Sequence, residues 1–409
     1  MSANKYIDLI IYLSTDWESY SANRKGYFGD IGFIRALARL PGIRILCVNQ
    51  PVTPVETTLK KRAKAVQWLK GTRMEKLDDN LFLYTPFSFI HDMMAIYSPA
   101  LQRMNRAVLS KQIRKQLKRL GFDSPVRVSW IYHPLQYTYF GLVDEIFKVY
   151  KCWDLYRIRP YSRRLKEVIV EYEKVILGEA GIVLTPCTNL YKELILENKN
   201  VYFTPAGVDV QPFDGALDKA APMPSDMIGI KSPRIGFSGN INEKVDMSLI
   251  RFLAESYTDW SIIMLGGITG DRGFCESEDY VICKDLPNVH FLGFKEFEML
   301  PLYLKHFDVC MLAHNNIESM QYAHPYKTLQ YLAAGRPVVS TDFPDAYYYR
   351  DVISIARNHK EFASMVEQSL NDNNESTLKN RMDFVKRNTW DKRAQETHNI
   401  LLDLTRSKL

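Results

Sequence analysis

From residue 234 to residue 404, short apolar runs alternate with segments of helical period, and this alternation restricts the fold more than any other feature. Residues 234–238, 260–265, 289–292, 308–313, 337–340 and 353–355 read as strands. Between them, 247–257, 297–307, 324–335 and 360–370 repeat apolar residues three and four apart, as does 390–404 after a polar run at 371–375. Strands joined through crossover helices pair in parallel and are covered on both faces. The second half is expected to be a Rossmann-like domain. The first half repeats the theme less regularly, with strands at 6–13, 43–48, 126–132, 146–150, 182–185 and 201–204 and a helix over about 29–40. Residues 211–232, rich in Pro and Gly, read as a link. The expected organisation is an N-terminal domain at 1–210, a linker at 211–232, a C-terminal domain at 233–388, and a final helix at 389–409 crossing back to the first domain. Such α/β chains have two doubly wound sheets facing a cleft, with ligands bound at the carboxyl ends of the strands.

At 409 residues the chain is too long for one ordinary core. A hydrophobic content of 46% with 24% charged residues is that of a soluble globular protein. No stretch approaches the roughly 20 apolar residues needed to span a bilayer. The run at 6–13 is too short for a signal-peptide core and is interrupted by Asp8. Cys47, Cys152, Cys187, Cys275, Cys283 and Cys310 form no Cys-x-x-Cys pair and read as reduced thiols, so a cytoplasmic location is expected. Charge is uneven. Residues 1–209 carry 31 Lys and Arg against 20 Asp and Glu, whereas the remainder holds 22 against 27. The basic excess gathers at 60–76 and 103–119.

The run His324-Pro325-Tyr326-Lys327-Thr328-Leu329-Gln330, continuing to Gly335, reads as a helix with Pro325 at its first position and Gly335 at its left-handed end. Lys327, Gln330 and Ala334 share one face, and Leu329, Leu332 and Ala333 the other. A lysine beside free backbone N–H groups makes an anion site, although the same punctuation also suits an ordinary buried α/β unit. Gly239 and Asn240 follow the first strand of the second half, and Lys244 is within reach of a phosphate there. Gly26, Gly29 and Gly32 precede the first helix, and Gly29 is a candidate for close approach to a diphosphate. His133 ends a strand, where a proton-transfer or hydroxyl-binding residue belongs, and His91 is a weaker candidate. Residues 101–120 form a basic amphipathic helix that suits either a solvated face or an anionic membrane surface. No metal-ligand motif, nucleophile elbow or Walker loop is present, so no metal or tightly bound cofactor is expected, and no nucleic-acid module is recognised.

Four segments carry a family resemblance. These are Asn200-Val201-Tyr202-Phe203-Thr204-Pro205-Ala206-Gly207-Val208-Asp209 with Phe213, the stretch from Gly239 to Asp246, the stretch from Asn288 to Gly293, and the run from Pro325 to Thr341. Together they resemble the GT-B glycosyltransferases, in particular the retaining group called family four. Residues 17–40 and 130–156 are similar, more loosely, to a branch that builds bacterial surface polysaccharides such as teichuronic acid. The resemblance implies transfer of a sugar from a nucleotide diphosphate sugar, UDP or GDP type, to a glycan or lipid-linked acceptor, without a directly bound metal. It implies that Lys244, Lys327 and the Pro325–Tyr326 helix start hold the diphosphate, with Gly29 and Gly239 close by. It places Gln330 on the ribose and His133 near the reacting sugar. The family carries Glu where Gln330 and Tyr322 stand and Arg where Asn240 stands, and Glu318 is a substitute for the earlier Glu. These departures keep open a non-catalytic partner subunit of the same fold, or a sugar-nucleotide epimerase. A lipid-linked acceptor would bring the chain to the inner face of the plasma membrane.

Overall fold

The strand Ile7–Tyr12 (β1) is buried along its whole length, so it needs cover on both faces, as a central parallel strand does. Its one acidic residue, Asp8, is satisfied by Arg44 Nε at 2.8 Å and by the backbone N–H of Ser124 at 3.0 Å. The computed structural model describes residues 6–17, 30–54, 74–213, 222–371 and 374–406. Among these, β1 is joined in one sheet by Ile43–Val48 (β2), Met74–Asp78 (β3), Leu81–Tyr84 (β4), Arg127–Ile131 (β5), Phe147–Lys151 (β6), Ile182–Thr185 (β7) and Val201–Phe203 (β8). The order is β3-β4-β2-β1-β5-β6-β7-β8. Every pairing is parallel except β3 with β4. That edge hairpin has no counterpart among the expected strands.

The second sheet holds Arg234–Ser238 (β9), Ser261–Leu265 (β10), Val289–Gly293 (β11), Val309–Leu312 (β12), Val338–Thr341 (β13) and Ser354–Ala356 (β14). Its order, β11-β10-β9-β12-β13-β14, is parallel throughout and reverses direction at β9, a topological switch point. β9, β10 and β12 are almost entirely buried, and Phe237, Ile263 and Met311 lie among the apolar residues that pack on the covering helices.

Each sheet belongs to its own unit. Of the described residues, the first unit takes 6–17, those in 33–205, and 394–406, while the second takes 30–32 and those in 206–393. The last helix, Trp390–Arg406, begins in the second unit and ends in the first. Within the first unit, Leu404 Cδ2 lies 3.5 Å from where a side chain on Gly181 would start, and Leu401 is buried. The expected linker carries two single-turn helices, Gln211–Phe213 and Ser225–Met227, and Met227 is fully buried in the second unit's core.

Two helices differ from expectation. The regular helix of the 324–335 run is Lys327–Ala333, two residues later than Pro325 would start it. Thr328 and Leu329 instead donate to the carbonyls of Pro325 and Tyr326, three residues back, which is a tighter opening turn. Gly335 does close it, with φ +72°. The 297–307 segment is a turn at Phe297–Met299 followed by a helix at Leu300–Leu304. Pro301 lacks an N–H to donate and is tolerated only in a first turn, so the helix restarts there.

Candidate active site

The carboxyl ends of β9, β10, β11 and β12 open into one cavity of about 350 Å³ inside the second unit. β9 contributes Ser238 and, just beyond it, Gly239 and Asn240. Gly266 and Gly267 follow β10, Phe294 and Lys295 follow β11, and His314 follows β12. The helix Lys327–Ala333 adds Lys327 and Gln330 from the face on which the sequence placed them. Of the residues singled out in the sequence, Gly239, Asn240, Lys244, Pro325, Tyr326, Lys327 and Gln330 all line this cavity. Glu318 does not. It is the exposed first residue of a short helix, Glu318–Gln321, whose buried Met320 lines the cavity instead. Gly29 lies outside the described residues.

The charge in the cavity is of one sign. Lys244, Lys295 and Lys327 line it, with no Asp or Glu among the described residues that line it. Lys295 is partly neutralised by Asp226 at 2.7 Å. Lys327 rests its amine 4.6 Å from the centre of the Phe237 ring. Burial, and then the nearby charge of Lys244, push its pKa down to about 8. An ammonium disfavoured by its surroundings gains more from an anion than a solvated one does. Lys244 is set by its own turn, in which its N–H donates to Asn242 Oδ1 at 3.1 Å and its carbonyl accepts from the N–H of Asn315 at 3.0 Å.

Glycine is required where the backbone comes close. Gly239 has φ +142°, and a Cβ there would lie 2.4 Å from Lys327 Nζ. Gly266 has φ +157°, and its Cβ would lie 1.9 Å from the Gly239 carbonyl oxygen. The Tyr331 hydroxyl accepts from the N–H of Ser238 at 2.8 Å and lies 3.2 Å from its carbonyl, fastening the helix to the end of β9.

Two histidines at this cavity were given no role in the sequence. His324 spends both ring nitrogens internally: Nδ1 is 2.8 Å from Asp345 Oδ2, and Nε2 is 3.0 Å from the Tyr349 hydroxyl. The N–H of Ala206 also donates to Nε2 at 3.4 Å, so Nδ1 carries the proton toward Asp345. This pair pins the turn leading into Lys327. His314 directs Nδ1 at the Lys244 carbonyl, 3.3 Å away. A carbonyl only accepts, so Nδ1 carries the proton. The rule that picked out His133, a histidine at the end of a buried strand, also finds His314.

His133 lies in the first unit. Its Nδ1 accepts from the N–H of Leu135 at 3.1 Å, capping the turn Pro134–Tyr139, and its ring packs 4.3 Å from that of Tyr156. Burial, and then Arg159, lower its pKa to about 4. It is a neutral imidazole near pH 7 with Nε2 protonated, suited to donate a hydrogen bond. His91 likewise caps a short helix, Asp92–Ala95. Among the described residues, no three His, Cys, Asp or Glu side chains converge as metal ligands, and no helix is long and apolar enough to cross a membrane.

Residues 232–372, which hold β9 to β14 and the whole cavity, match the family described as glycosyl transferases group 1. That stretch is similar to the group 1 glycosyl transferases. TuaH of Bacillus subtilis strain 168, described as a teichuronic acid biosynthesis glycosyltransferase, is 27% identical over 282 residues, covering 63% of this chain and 68% of that one. Sucrose-phosphate synthase from Thermosynechococcus elongatus superposes with a TM-score of 0.66 at 13% identity, over 98% of this chain and 100% of that one. Anabaena Alr3699/HepE, solved in complex with UDP and glucose, does so with a TM-score of 0.60 at 12% identity, over 99% and 100%. The two parallel-sheet units thus have the GT-B fold, and glycosyltransferase is the activity that the group 1 domain indicates.

Proposed function

We propose that the chain transfers a glycosyl group, with retention of configuration, from a UDP- or GDP-sugar to a hydroxyl of a glycan or lipid-linked acceptor in surface-polysaccharide synthesis. The observation that carries this reading is the carboxylate-free cavity, where Lys244 and Lys327 meet the close backbone of Gly239. As the glycosidic bond to the nucleotide breaks, negative charge grows on the diphosphate, and two fixed ammonium groups stabilise it in place of a metal ion. Gln330, buried beside them, keeps one carbonyl oxygen with which to accept from a ribose hydroxyl. The HepE complex with UDP and glucose, and TuaH's link to teichuronic acid, support the donor and the product class.

A screen of thermal stability with UDP, GDP, ADP and CMP near millimolar tests the donor. Ligand at about 100 times its Kd stabilises by roughly 2.7 kcal/mol, a visible shift. One nucleoside diphosphate should raise the midpoint of the wild type by clearly more than that of Lys244→Met or Lys327→Met. No shift in the wild type would leave the partner-subunit reading in its place.

The acceptor side of this proposal includes an anionic membrane surface. The helix Pro99–Arg119 carries no acidic residue, and Arg103, Lys111, Lys115, Lys118 and Arg119 on it are exposed. Exposed Phe89, Met94 and Met104 lie at and just before its start. Arg114 is not part of the free set, because it is tied to Asp144 and to the Leu142 carbonyl. Of the more N-terminal basic cluster, residues 60–73 fall outside the described chain. Cosedimentation with phosphatidylglycerol vesicles but not phosphatidylcholine vesicles is expected, and changing the five cations to Gln should abolish it. Equal recovery with both lipids would count against the charged surface.

A further inference from the structure

The strand order lays out the cavity in sequence. Phe294, Lys295, Phe297 and Leu300 stand at the β11 end, Gly239, Lys244 and Lys327 in the middle, and His314 beyond them after β12. A ligand made of base, diphosphate and sugar, with its diphosphate on the two lysines, has room for its base toward β11. Its sugar then falls toward β12. His314 also borders a second cavity of about 740 Å³, with Asn316, Thr341, Asp342 and Asn358, at the ends of β12 to β14. Among the described residues it is the one that lines both.

The state of this histidine is fixed. Its Nδ1–H is committed to the Lys244 carbonyl, and its ring is held edge-on to Phe237 and Phe343. Burial, with Lys327 next, holds its pKa at about 3, so it stays neutral at any ordinary pH. Nε2 therefore offers a lone pair, and among the described residues nothing accepts or donates there. Three lysines supply donors to this cavity; Asn240 and Gln330 carry acceptor oxygens in it, and Nε2 is the acceptor at its junction with the second cavity.

We propose that His314 is a specificity-determining residue whose Nε2 accepts a hydrogen bond from a hydroxyl of the sugar being transferred. The role rests on the nucleotide-sugar reading above and assigns the glycosyl end of the donor to the junction of the two cavities. A site built around an acceptor favours a sugar bearing a hydroxyl there and discriminates against its deoxy analogue, whose loss leaves the acceptor unmet.

Isothermal titration of wild type, His314→Phe and His314→Gln with UDP, GDP, UDP-glucose and GDP-mannose tests it. His314→Phe should weaken the sugar nucleotide about tenfold more than the bare diphosphate, the worth of one hydrogen bond, the diphosphate feeling only the lost contact to the Lys244 carbonyl. His314→Gln, which restores a carbonyl acceptor, should recover most of that loss. Equal weakening of sugar nucleotide and diphosphate would make His314 a support of the pocket and overturn the role, as would unchanged sugar-nucleotide binding. If none of the four ligands binds wild type, the nucleotide-sugar reading itself fails, a result distinct from either.

Discussion

Replacing Lys327 by Met should make the empty protein more stable while removing much of its affinity for a diphosphate. The pKa of this lysine falls from 10.5 to about 8 on folding. At about 1.4 kcal/mol per unit, holding it charged costs roughly 3 kcal/mol. Its contact with the Phe237 ring returns about 0.5–2 kcal/mol. Methionine keeps the length of the stem and removes the charge. The net gain at pH 7 is then about 1–2.5 kcal/mol, or about 2–10 °C in Tm for a unit of this size. The sign with pH is fixed by linkage. Between about pH 8 and 10.5 the unfolded chain holds the proton and the folded chain does not, so the wild type recovers stability as pH rises through that window. Melts of wild type and Lys327→Met at pH 7 and pH 10 should therefore show a gap that narrows at the higher pH. Binding of the nucleoside diphosphate should fall by about 10- to 100-fold, the loss of one charge-assisted hydrogen bond. A variant that melts below wild type at pH 7, or a gap indifferent to pH, refutes the reasoning and makes Lys327 a structural residue.

Other substitutions separate the parts of the site. Gly239→Ala puts a methyl 2.4 Å from Lys327 Nζ and strains a φ of +142°, so nucleotide affinity should drop at least tenfold by titration calorimetry; unchanged affinity would move the diphosphate away from this turn. His324→Ala removes the imidazole that donates to Asp345, 1% exposed, and should cost about 1–3 kcal/mol in urea denaturation. A loss below about 1 kcal/mol would show that the pair does not hold the turn.

Much of the second unit was legible because each level of the sequence agreed with the next. Gly335 marked the helix end, Lys327 and Gln330 fell on one face, and the buried strands had apolar centres. The edge hairpin was not legible. β3 reads Met-Glu-Lys-Leu-Asp, partly exposed and mostly polar, and its pairing with β4 depends on a neighbour rather than on its own pattern. Sequence spacing also could not assemble the cavity's far ends. Gly266 and Phe294 reach Lys327 only through strand order, which no local signal encodes. Glu318 misled for the opposite reason: it is the right residue type near the right place, on a short helix that turns it outward.

The last helix has a consequence for how the chain is made. Residues 394–406 complete the first unit, yet they follow residue 205 by nearly 190 positions. At about 5–20 residues per second, a ribosome takes roughly 10–40 s to cross that interval. Throughout it, the first sheet has been synthesised but lacks the segment carrying Leu401 and Leu404. The second unit, continuous apart from residues 30–32, is complete by residue 393. The half of the protein made first is thus the half finished last, and chaperones would meet it with its apolar seat for that helix still open.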